Sequence, residues 1–288
     1  FLSVFDMFKI GIGPSSSHTM GPMTAAGRFL DETRRSGVAA YRLKARLHGS
    51  LAFTGVGHAS DRAVILGLAG YLPAEIDPDR MEAIIAQVRE QKQVCPAGHP
   101  AYALDPDADI LLDRKTPLPG HANGMAFEAY DAEDNLLLRK VYFSIGGGFV
   151  VDEEELATAR AGNTPQRLET AAVPFPFTSA AEMLRMAAQS GLSIADMKRK
   201  NELVFLSEAE LDARLDGVWQ VMNACVERGL REEGILPGGL KVRRRARALY
   251  ERLKLDGTTN RLNPLLANDW LSVYAMAVNE ENAAGGRV

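Results

Sequence analysis

The chain has 288 residues, of which 46% are hydrophobic and 24% charged, and its formal net charge is −4. At about 100–200 residues per domain this length predicts two domains, with three as the upper limit. The composition excludes a disordered, collagen-like or coiled-coil chain. The negative net charge disfavours a general nucleic-acid binder. The uncharged apolar run 63–74 is too short for a membrane span of about twenty residues, so we expect neither nucleic acid nor membrane as a partner.

Helix signals recur through the first 150 residues. Candidate caps, a proline at a first helical position and apolar periodicity predict three helices, over about 22–35, 60–68 and 77–91. Gly37 is expected to end the first helix, because a glycine tolerates the left-handed conformation of a helix end. Ser60 or Asp61 is expected to cap the second helix with its side chain.

Strand signals lie between these helices. Apolar alternation predicts strands over Arg42–His48, 126–130 and 136–145, with 149–151 as a continuation of the sheet. The polar segment 131–135 is expected to join the second and third strands as a hairpin. An antiparallel hairpin among helices predicts an α+β domain with a mixed or antiparallel sheet, which we assign to residues 1–155.

The chain changes character after this region. Residues 152–177 combine an acidic run with scattered glycine and proline, which predicts a linker, and we place the domain linker at 156–177. Capping boxes at Ser179, Ser193 and Ser207 then precede helical stretches. Asn263 and Pro264 are expected to open a last helix. Residues 178–288 are therefore predicted to form an all-α domain that is incomplete in this chain.

The two cysteines, Cys95 and Cys225, lie far apart in the sequence, and neither belongs to a Cys-x-x-Cys pair. Such sparse usage is typical of a reducing compartment, so we expect a cytoplasmic protein. The chain begins with Phe1 instead of methionine and stops directly after a helix-like stretch. We expect it to be a fragment of a longer protein.

The most unusual local sequence is the segment 11–22, in which four hydroxyl side chains and an imidazole precede a predicted helix start. They are Ser15, Ser16, Ser17, Thr19 and His18. Free backbone N–H groups and the positive end of the helix dipole make this position suitable for a carboxylate or phosphate. An ordinary serine-rich loop with one capping hydroxyl is the alternative.

Three more histidines lie in short polar segments beside a glycine, a helix start or a strand start: His48, His58 and His121. A histidine in such a place can be exposed in a cleft and titrate near neutrality. For His48 and His58 the alternative is a loop histidine that bonds the backbone. For His121, which is followed by Asn123, the alternative is a turn signal.

Several function classes have no motif in the sequence. No metal-ligand spacing, nucleophile elbow or phosphate-binding loop occurs, and the glycines at 11 and 13 lack the third glycine of a dinucleotide fingerprint. The basic run 241–247 has glutamates on both sides, which is typical of a solvated helix face. No metal ligand is therefore assigned within this chain.

Four long segments carry a resemblance to a known family. They are 3–19 (SVFDMFKIGIGPSSSHT), 142–149 (YFSIGGGF), 234–238 (GILPG) and 277–288 (AVNEENAAGGRV). Together they resemble the iron–sulfur L-serine dehydratases of bacteria, also called L-serine ammonia-lyases, in their single-chain form. The resemblance spans nearly the whole chain and implies an α+β domain followed by the start of a helical catalytic domain.

The resemblance also implies a chemistry. The family eliminates water from L-serine to give pyruvate and ammonia, with a 4Fe–4S cluster that acts as Lewis acid on the substrate hydroxyl. By resemblance His58 is the base that takes the Cα proton. The implied substrate-binding residues are Ser15, Ser16, Ser17, His18, Thr19, His121 and Asn123.

One departure from the family limits what this chain is expected to do alone. The cluster cysteines of the family lie beyond Val288, and neither Cys95 nor Cys225 matches them, so we expect the isolated chain to be inactive. A serine-binding regulatory module is the alternative function, because the front domain also resembles the allosteric substrate-binding domain of some phosphoglycerate dehydrogenases. The sequence leaves open the oligomeric state, with a homodimer as one option, and the choice between serine and threonine.

Overall fold

The computed structural model describes residues 1–160, 173–259 and 266–288. By their contacts these residues form two compact units. The first combines Phe1–Lys9 with Ala157–Val221, and the second combines Ile10–Leu156 with Met222–Val288. The division in chain order at 155 and 178 stays a prediction.

Helices occur along the whole described chain. They are α1 (Val4–Met7), α2 (Gly21–Ser36), α3 (Ser50–Thr54), α4 (Ser60–Leu68), α5 (Met81–Gln91), α6 (Pro106–Asp109), α7 (Glu153–Arg160), α8 (Ala180–Ser190), α9 (Ile194–Glu202), α10 (Glu208–Arg231), α11 (Ala246–Thr259) and α12 (Leu266–Ala283). A π-helical turn over Ser16–Met20 leads into α2, and a 3-10 turn over Pro78–Arg80 leads into α5. Within the described ranges, none of these helices is both long and apolar enough to cross a membrane.

The strands lie between residues 42 and 152 and form one mixed sheet. They are β1 (Arg42–His48), β2 (Gln93–Val94), β3 (Tyr102–Ala103), β4 (Ile110–Asp113), β5 (Gly124–Tyr130), β6 (Leu136–Gly146) and β7 (Phe149–Asp152). The order is β2-β3-β1-β5-β6-β7, with β4 also paired to β1. β1 runs parallel to β3 and β4 and antiparallel to β5, and β5, β6 and β7 are antiparallel. The predicted α+β region followed by helices is confirmed.

The two faces of the sheet support cores of different size. Met125, Phe127 and Ala129 of β5 point to the large core shared with α2 and α4, whereas Ala126 of the same strand joins a smaller cluster. This alternation is what a strand covered on both faces requires. Helices α2 and α4 pack closely, since a Cβ on Gly67 would lie 2.5 Å from the carbonyl oxygen of Met23. The segments that precede these two helices are therefore held near each other.

Several predicted features are confirmed. Pro22 lies in the first turn of α2, and Gly37 ends that helix in the left-handed conformation, with φ +68°. β1 and the hairpin of β5 and β6 form as predicted. Ser193 with Asp196, and Ser207 with Glu210, make reciprocal capping boxes.

The predicted cap of α4 is wrong. Ala59 takes the cap position and no side chain caps the helix, because the Ser60 hydroxyl donates to the carbonyl oxygen of His18 instead. At Ser179 the hydroxyl caps α8 through the N–H of Glu182, but the Glu182 carboxylate accepts from Thr178.

A helix, Glu153–Arg160, occupies the start of the segment predicted as a linker. It begins with a reciprocal pair, in which Asp152 and Glu155 each accept the backbone N–H of the other. Residues 161–172 lie outside the described residues, so the linker stays a prediction. The predicted helix start at Asn263 also lies outside them.

The C-terminal residues of the second unit return to its first loop. Gly11 and Val288 exchange backbone hydrogen bonds of 2.8 and 3.0 Å, and the N–H of Gly13 donates to the carbonyl of Gly286. The Asn282 side chain donates to the carbonyl of Pro14. The end of α12 is thereby fixed beside the serine-rich segment.

Candidate active site

The hydroxyl-rich segment before α2 is held by its own side chains. Ser15 Oγ accepts the N–H of His18 at 3.2 Å, and Thr19 Oγ1 accepts the N–H of Ser15 at 3.2 Å. These bonds satisfy N–H groups that a helix start leaves without partners, which is why a run of small hydroxyl residues folds locally into this turn. Ser16 is exposed, and the structure shows no hydrogen bond of its hydroxyl within the described residues.

The turn brings His18 next to His58. The ring centroids lie 4.8 Å apart, with 41° between the ring planes. The two backbones are joined reciprocally, because Thr19 Oγ1 donates to the carbonyl of His58 at 2.8 Å and the Ser60 hydroxyl donates to the carbonyl of His18. Thr19 and Ser60 are buried, at 3% and 0% exposure. Two buried hydroxyl groups therefore hold the two rings at this separation.

The hydrogen bonding of His58 determines which nitrogen can act as a base. Its Nδ1 lies 3.0 Å from the carbonyl oxygen of Thr54. A carbonyl oxygen only accepts, so Nδ1 carries the proton and Nε2 of the neutral ring carries the lone pair. The described residues offer Nε2 no hydrogen-bond partner.

His18 lies between two hydroxyls. Ser17 Oγ is 2.9 Å from Nδ1, and Ser50 Oγ is 2.9 Å from Nε2. Burial lowers the pKa of His18 from its ordinary value, and the positive charge of His58 lowers it further. Both effects favour the neutral form of the His18 ring.

His121 and Asn123 adjoin this arrangement through Ser50. The N–H of Ser50 donates to the carbonyl of Ala122 at 2.8 Å. His121 Nδ1 accepts the N–H of Asn123 at 3.1 Å, so the neutral ring carries its proton on Nε2. The Asn123 side-chain amide donates to the carbonyl of Ser144.

A cavity of about 650 Å³ opens beside the histidine pair, a volume suited to a small molecule. Of the predicted site residues, Thr19 and His58 line it. Arg62, Arg228 and the segment 281–286 form other parts of its wall. The other predicted residues are absent from that wall. Ser15 and Ser17 bond to His18, and His121 and Asn123 adjoin Ser50, whereas Ser16 has no such hydrogen bond.

The wall that α12 contributes contains a buried ion-pair network. Glu281 is 1% exposed and lies 2.6 Å from Arg244 and 3.1 Å from Arg228. Arg228 also pairs with Asp79, which lowers the pKa of that carboxyl through a hydrogen bond. These contacts tie α10 and α12 to the start of α5.

His48, a candidate from its sequence position, does not belong to the site. It is 4% exposed, and its Nδ1 donates to the carbonyl of Thr116 at 2.6 Å. The alternative of a backbone-bonded histidine holds for this residue. Sequence reasoning instead missed Ser50, two positions later, whose only local signal is its place after Gly49 at a helix start.

The residues of this chain do not fit an iron–sulfur cluster. Such a cluster requires several cysteine thiolates, and the sequence holds two cysteines, one exposed and one buried, both free. Burial, with Glu281 nearby, raises the pKa of the Cys225 thiol, which disfavours the thiolate. In the part of the chain that the structure describes, no group of three or more metal-ligating side chains occurs.

The cavity and the histidine pair form a candidate small-molecule site on the α+β unit. Comparison with known proteins identifies the family. The serine dehydratase beta chain family matches residues 3–155, and the serine dehydratase alpha chain family matches residues 156–288. The chain therefore belongs to the serine dehydratase family.

Curated relatives are similar in sequence to this chain over its whole length. The identity is 45% with the L-serine dehydratase of Streptomyces coelicolor, and 44% and 42% with L-serine dehydratase TdcG and L-serine dehydratase 1 of Escherichia coli. Each comparison covers 100% of this chain but 62% of the relative. The chain thus spans about three fifths of the length of these relatives.

Proposed function

We propose that the protein carrying this chain is an L-serine ammonia-lyase, which eliminates water from L-serine and yields pyruvate and ammonia. The observation that carries the proposal is the histidine pair at the cavity, in which His58 presents an unpartnered Nε2 lone pair. The names of the relatives support the same substrate.

The proposed reaction begins at Cα of serine. Its proton passes to Nε2 of His58, and the electron pair of the broken bond forms the Cα–Cβ double bond. The Cβ–O bond breaks, and the hydroxyl group leaves as water with the proton that Nε2 of His58 has taken, which returns His58 to its neutral form. The resulting 2-aminoacrylate takes a proton at Cβ and gives up a proton from its nitrogen to become an imine, and a water molecule hydrolyses the imine to pyruvate and ammonia.

The segment before α2 is the proposed carboxylate site. Ser16 is exposed with its hydroxyl unengaged, whereas the hydroxyl proton of Thr19 is committed to the carbonyl of His58. Ser16 therefore has a hydroxyl proton available, and we assign it as the donor to a substrate carboxylate at the helix start. His121 offers an Nε2–H donor for a polar group of the substrate.

We also propose that the protein carrying this chain has a 4Fe–4S cluster, a cytoplasmic location and a homodimeric assembly. Since the two cysteines here do not fit a cluster, its ligands are expected outside the residues of this chain.

The roles of His58 and Ser16 are tested by paired variants of the full-length protein. His58→Asn is expected to lower kcat about 10²–10⁴-fold with little change in KM, because proton abstraction occurs only in the transition state. Ser16→Ala removes a hydrogen bond to a charged group, which is worth about 1.5–3 kcal/mol, so KM is expected to rise about ten- to a hundredfold. Pyruvate formation at varied serine concentration, with iron content matched between variants, measures both.

The matched control is Ser36→Ala, since the Ser36 hydroxyl donates to a carbonyl at the opposite end of α2. Near-normal kcat in His58→Asn would show that another residue is the base. A full-length protein that binds serine but forms no pyruvate after anaerobic cluster reconstitution would favour the regulatory module instead.

A further inference from the structure

The short helix α3 supplies one hydrogen-bond partner to each histidine of the pair. Its first residue, Ser50, places Oγ 2.9 Å from Nε2 of His18. Its last residue, Thr54, accepts Nδ1–H of His58 through its carbonyl oxygen at 3.0 Å. One rigid turn of helix therefore contacts both rings, one at each end.

The start of α3 has little freedom to move. Gly49 adopts φ +54°, and a Cβ there would lie 2.3 Å from the carbonyl oxygen of Ala122. That same oxygen accepts the N–H of Ser50. The Thr54 hydroxyl closes the turn by donating to the carbonyl of Ser50. The direction of the Ser50 side chain is thus set by backbone contacts on both sides.

From this geometry we infer that Ser50 is a positioning residue. It holds the His18 ring in place, and the His18 ring in turn holds the ring of His58 and its Nε2 atom. The inference rests on the proposed function, since it assigns Ser50 a part in the same reaction without a contact to substrate.

The physical reason lies in the hydrogen bonding of a neutral imidazole. Such a ring has one N–H and one lone pair, so of the two hydroxyls that flank His18 one must accept and the other must donate. Without the Ser50 hydroxyl, Nε2 of His18 loses its partner, and the ring keeps a single hydrogen bond at Nδ1. A ring held at one nitrogen can turn, and His58 packs directly against it.

Such a rotation of the His18 ring affects the chemical step more than substrate binding. Proton transfer depends steeply on the placement of the base, so a displacement of about 1 Å can cost about a hundredfold in rate. Ser16, the proposed carboxylate donor, has no hydrogen bond to Ser50, so substrate affinity depends little on this contact. Loss of the Ser50 hydroxyl should therefore appear in kcat.

The test compares Ser50→Ala, Ser50→Thr and the control Ser36→Ala in the full-length protein. We expect Ser50→Ala to lower kcat about ten- to a hundredfold with KM changed less than about twofold. Ser50→Thr keeps a hydroxyl and should restore most of kcat, and Ser36→Ala should match the unsubstituted protein. An unchanged kcat, or a rise in KM alone, would overturn the inference.

A second measurement separates this inference from the proposed function. Nitrogen NMR of the ¹⁵N-histidine-labelled 288-residue chain reports the tautomer of each ring, with His18 and His58 assigned through their asparagine variants. Ser50→Ala is expected to shift the signals of both rings, whereas Ser36→Ala is not. If Ser50→Ala shifts both ring signals in this chain while the full-length protein turns over no serine, the lyase is refuted and the positioning contact is retained. Unchanged ring signals would refute the contact whatever the activity.

Discussion

At the scale of single residues, the site depends on two imidazoles with different surroundings. His58 lies at the cavity with its tautomer set by a backbone carbonyl, and His18 lies between two hydroxyls. Burial is the larger cause that lowers the pKa of His18, and the charge of His58 adds to it. Both effects favour the neutral form of the His18 ring.

The lowered pKa of His18 predicts how stability depends on pH. The unfolded chain protonates His18 near its ordinary pKa of about 6.5, while the folded chain resists protonation to lower pH. The contribution of neutral His18 to the free energy of unfolding is thus complete above about pH 6.5. It is lost as the pH falls toward the pKa of His18 in the folded chain.

We expect the urea midpoint of the chain to decrease as the pH falls from about 7.5 to 5.5, and to decrease less in His18→Asn. Urea unfolding followed by circular dichroism at several pH values measures the two slopes. Equal slopes in the two proteins would contradict the assignment of this titration to His18.

At the scale of secondary-structure elements, two glycines of α10 have opposite surroundings. A Cβ on Gly217 would meet nothing within 4 Å, whereas a Cβ on Gly229 would lie 2.2 Å from the carbonyl oxygen of Ala277 in α12. Gly229 therefore permits a close approach of two helices, while Gly217 only lowers the helix propensity of α10.

Substitution of each glycine by alanine is expected to act in opposite directions. Gly217→Ala should stabilise its unit by about 1 kcal/mol through helix propensity. Gly229→Ala should destabilise its unit by about 1–3 kcal/mol, because backbone atoms must move apart. The chain has two tryptophans, Trp219 and Trp270, one in each unit, so urea unfolding followed by the fluorescence of single-tryptophan variants reports each unit separately. Shifts of both midpoints in the same direction would refute the close packing of α10 on α12.

The elements predicted correctly from the sequence are those with local signals. Pro22 and Gly37 bound α2, and the alternation in β5 and β6 predicts the hairpin, because each signal acts within a few residues. The predicted cap at Ser60 is wrong because its hydroxyl donates to the carbonyl of His18, 42 positions away in the sequence. The acidic run at 152–155 is predicted as part of a linker, but it contains a capping pair, Asp152 with Glu155, at which α7 begins.

The candidate site shows the same difference between residues with a local sequence signal and residues without one. The segment 15–19 and His58 were identified from sequence pattern and resemblance, and the structure brings His18 and His58 together. Ser50 and the wall formed by Arg228 and 281–286 carry no local signal, because their meaning depends on contacts between distant parts of the chain. The catalytic and binding roles themselves stay predictions.

At the scale of the whole molecule, the cavity is assembled from both family regions. Thr19 and His58 come from the part that matches the beta chain family, and Arg228 and Glu281 come from the part that matches the alpha chain family. The cavity walls are thus present in this chain, whereas a set of cluster ligands is not found among its described residues.

We predict that this chain, expressed as given, binds no 4Fe–4S cluster. Two cysteines are too few for the thiolates that hold one. Anaerobic reconstitution followed by iron analysis and a visible spectrum tests this, with the same treatment of the full-length protein as the positive control. About four irons per chain would contradict the prediction.

The pairing of Gly11 with Val288 has a consequence for how the protein is made. Ribosomes add about 5–20 residues per second, so Gly11 leaves the exit tunnel on the order of tens of seconds before its partner strand exists. During that interval Ile12, which is 1% exposed in the folded chain, lacks its bridge partner Arg287. The wall of the cavity that residues 281–286 form is therefore added only when translation has reached this part of the chain, and a chain interrupted earlier lacks that wall.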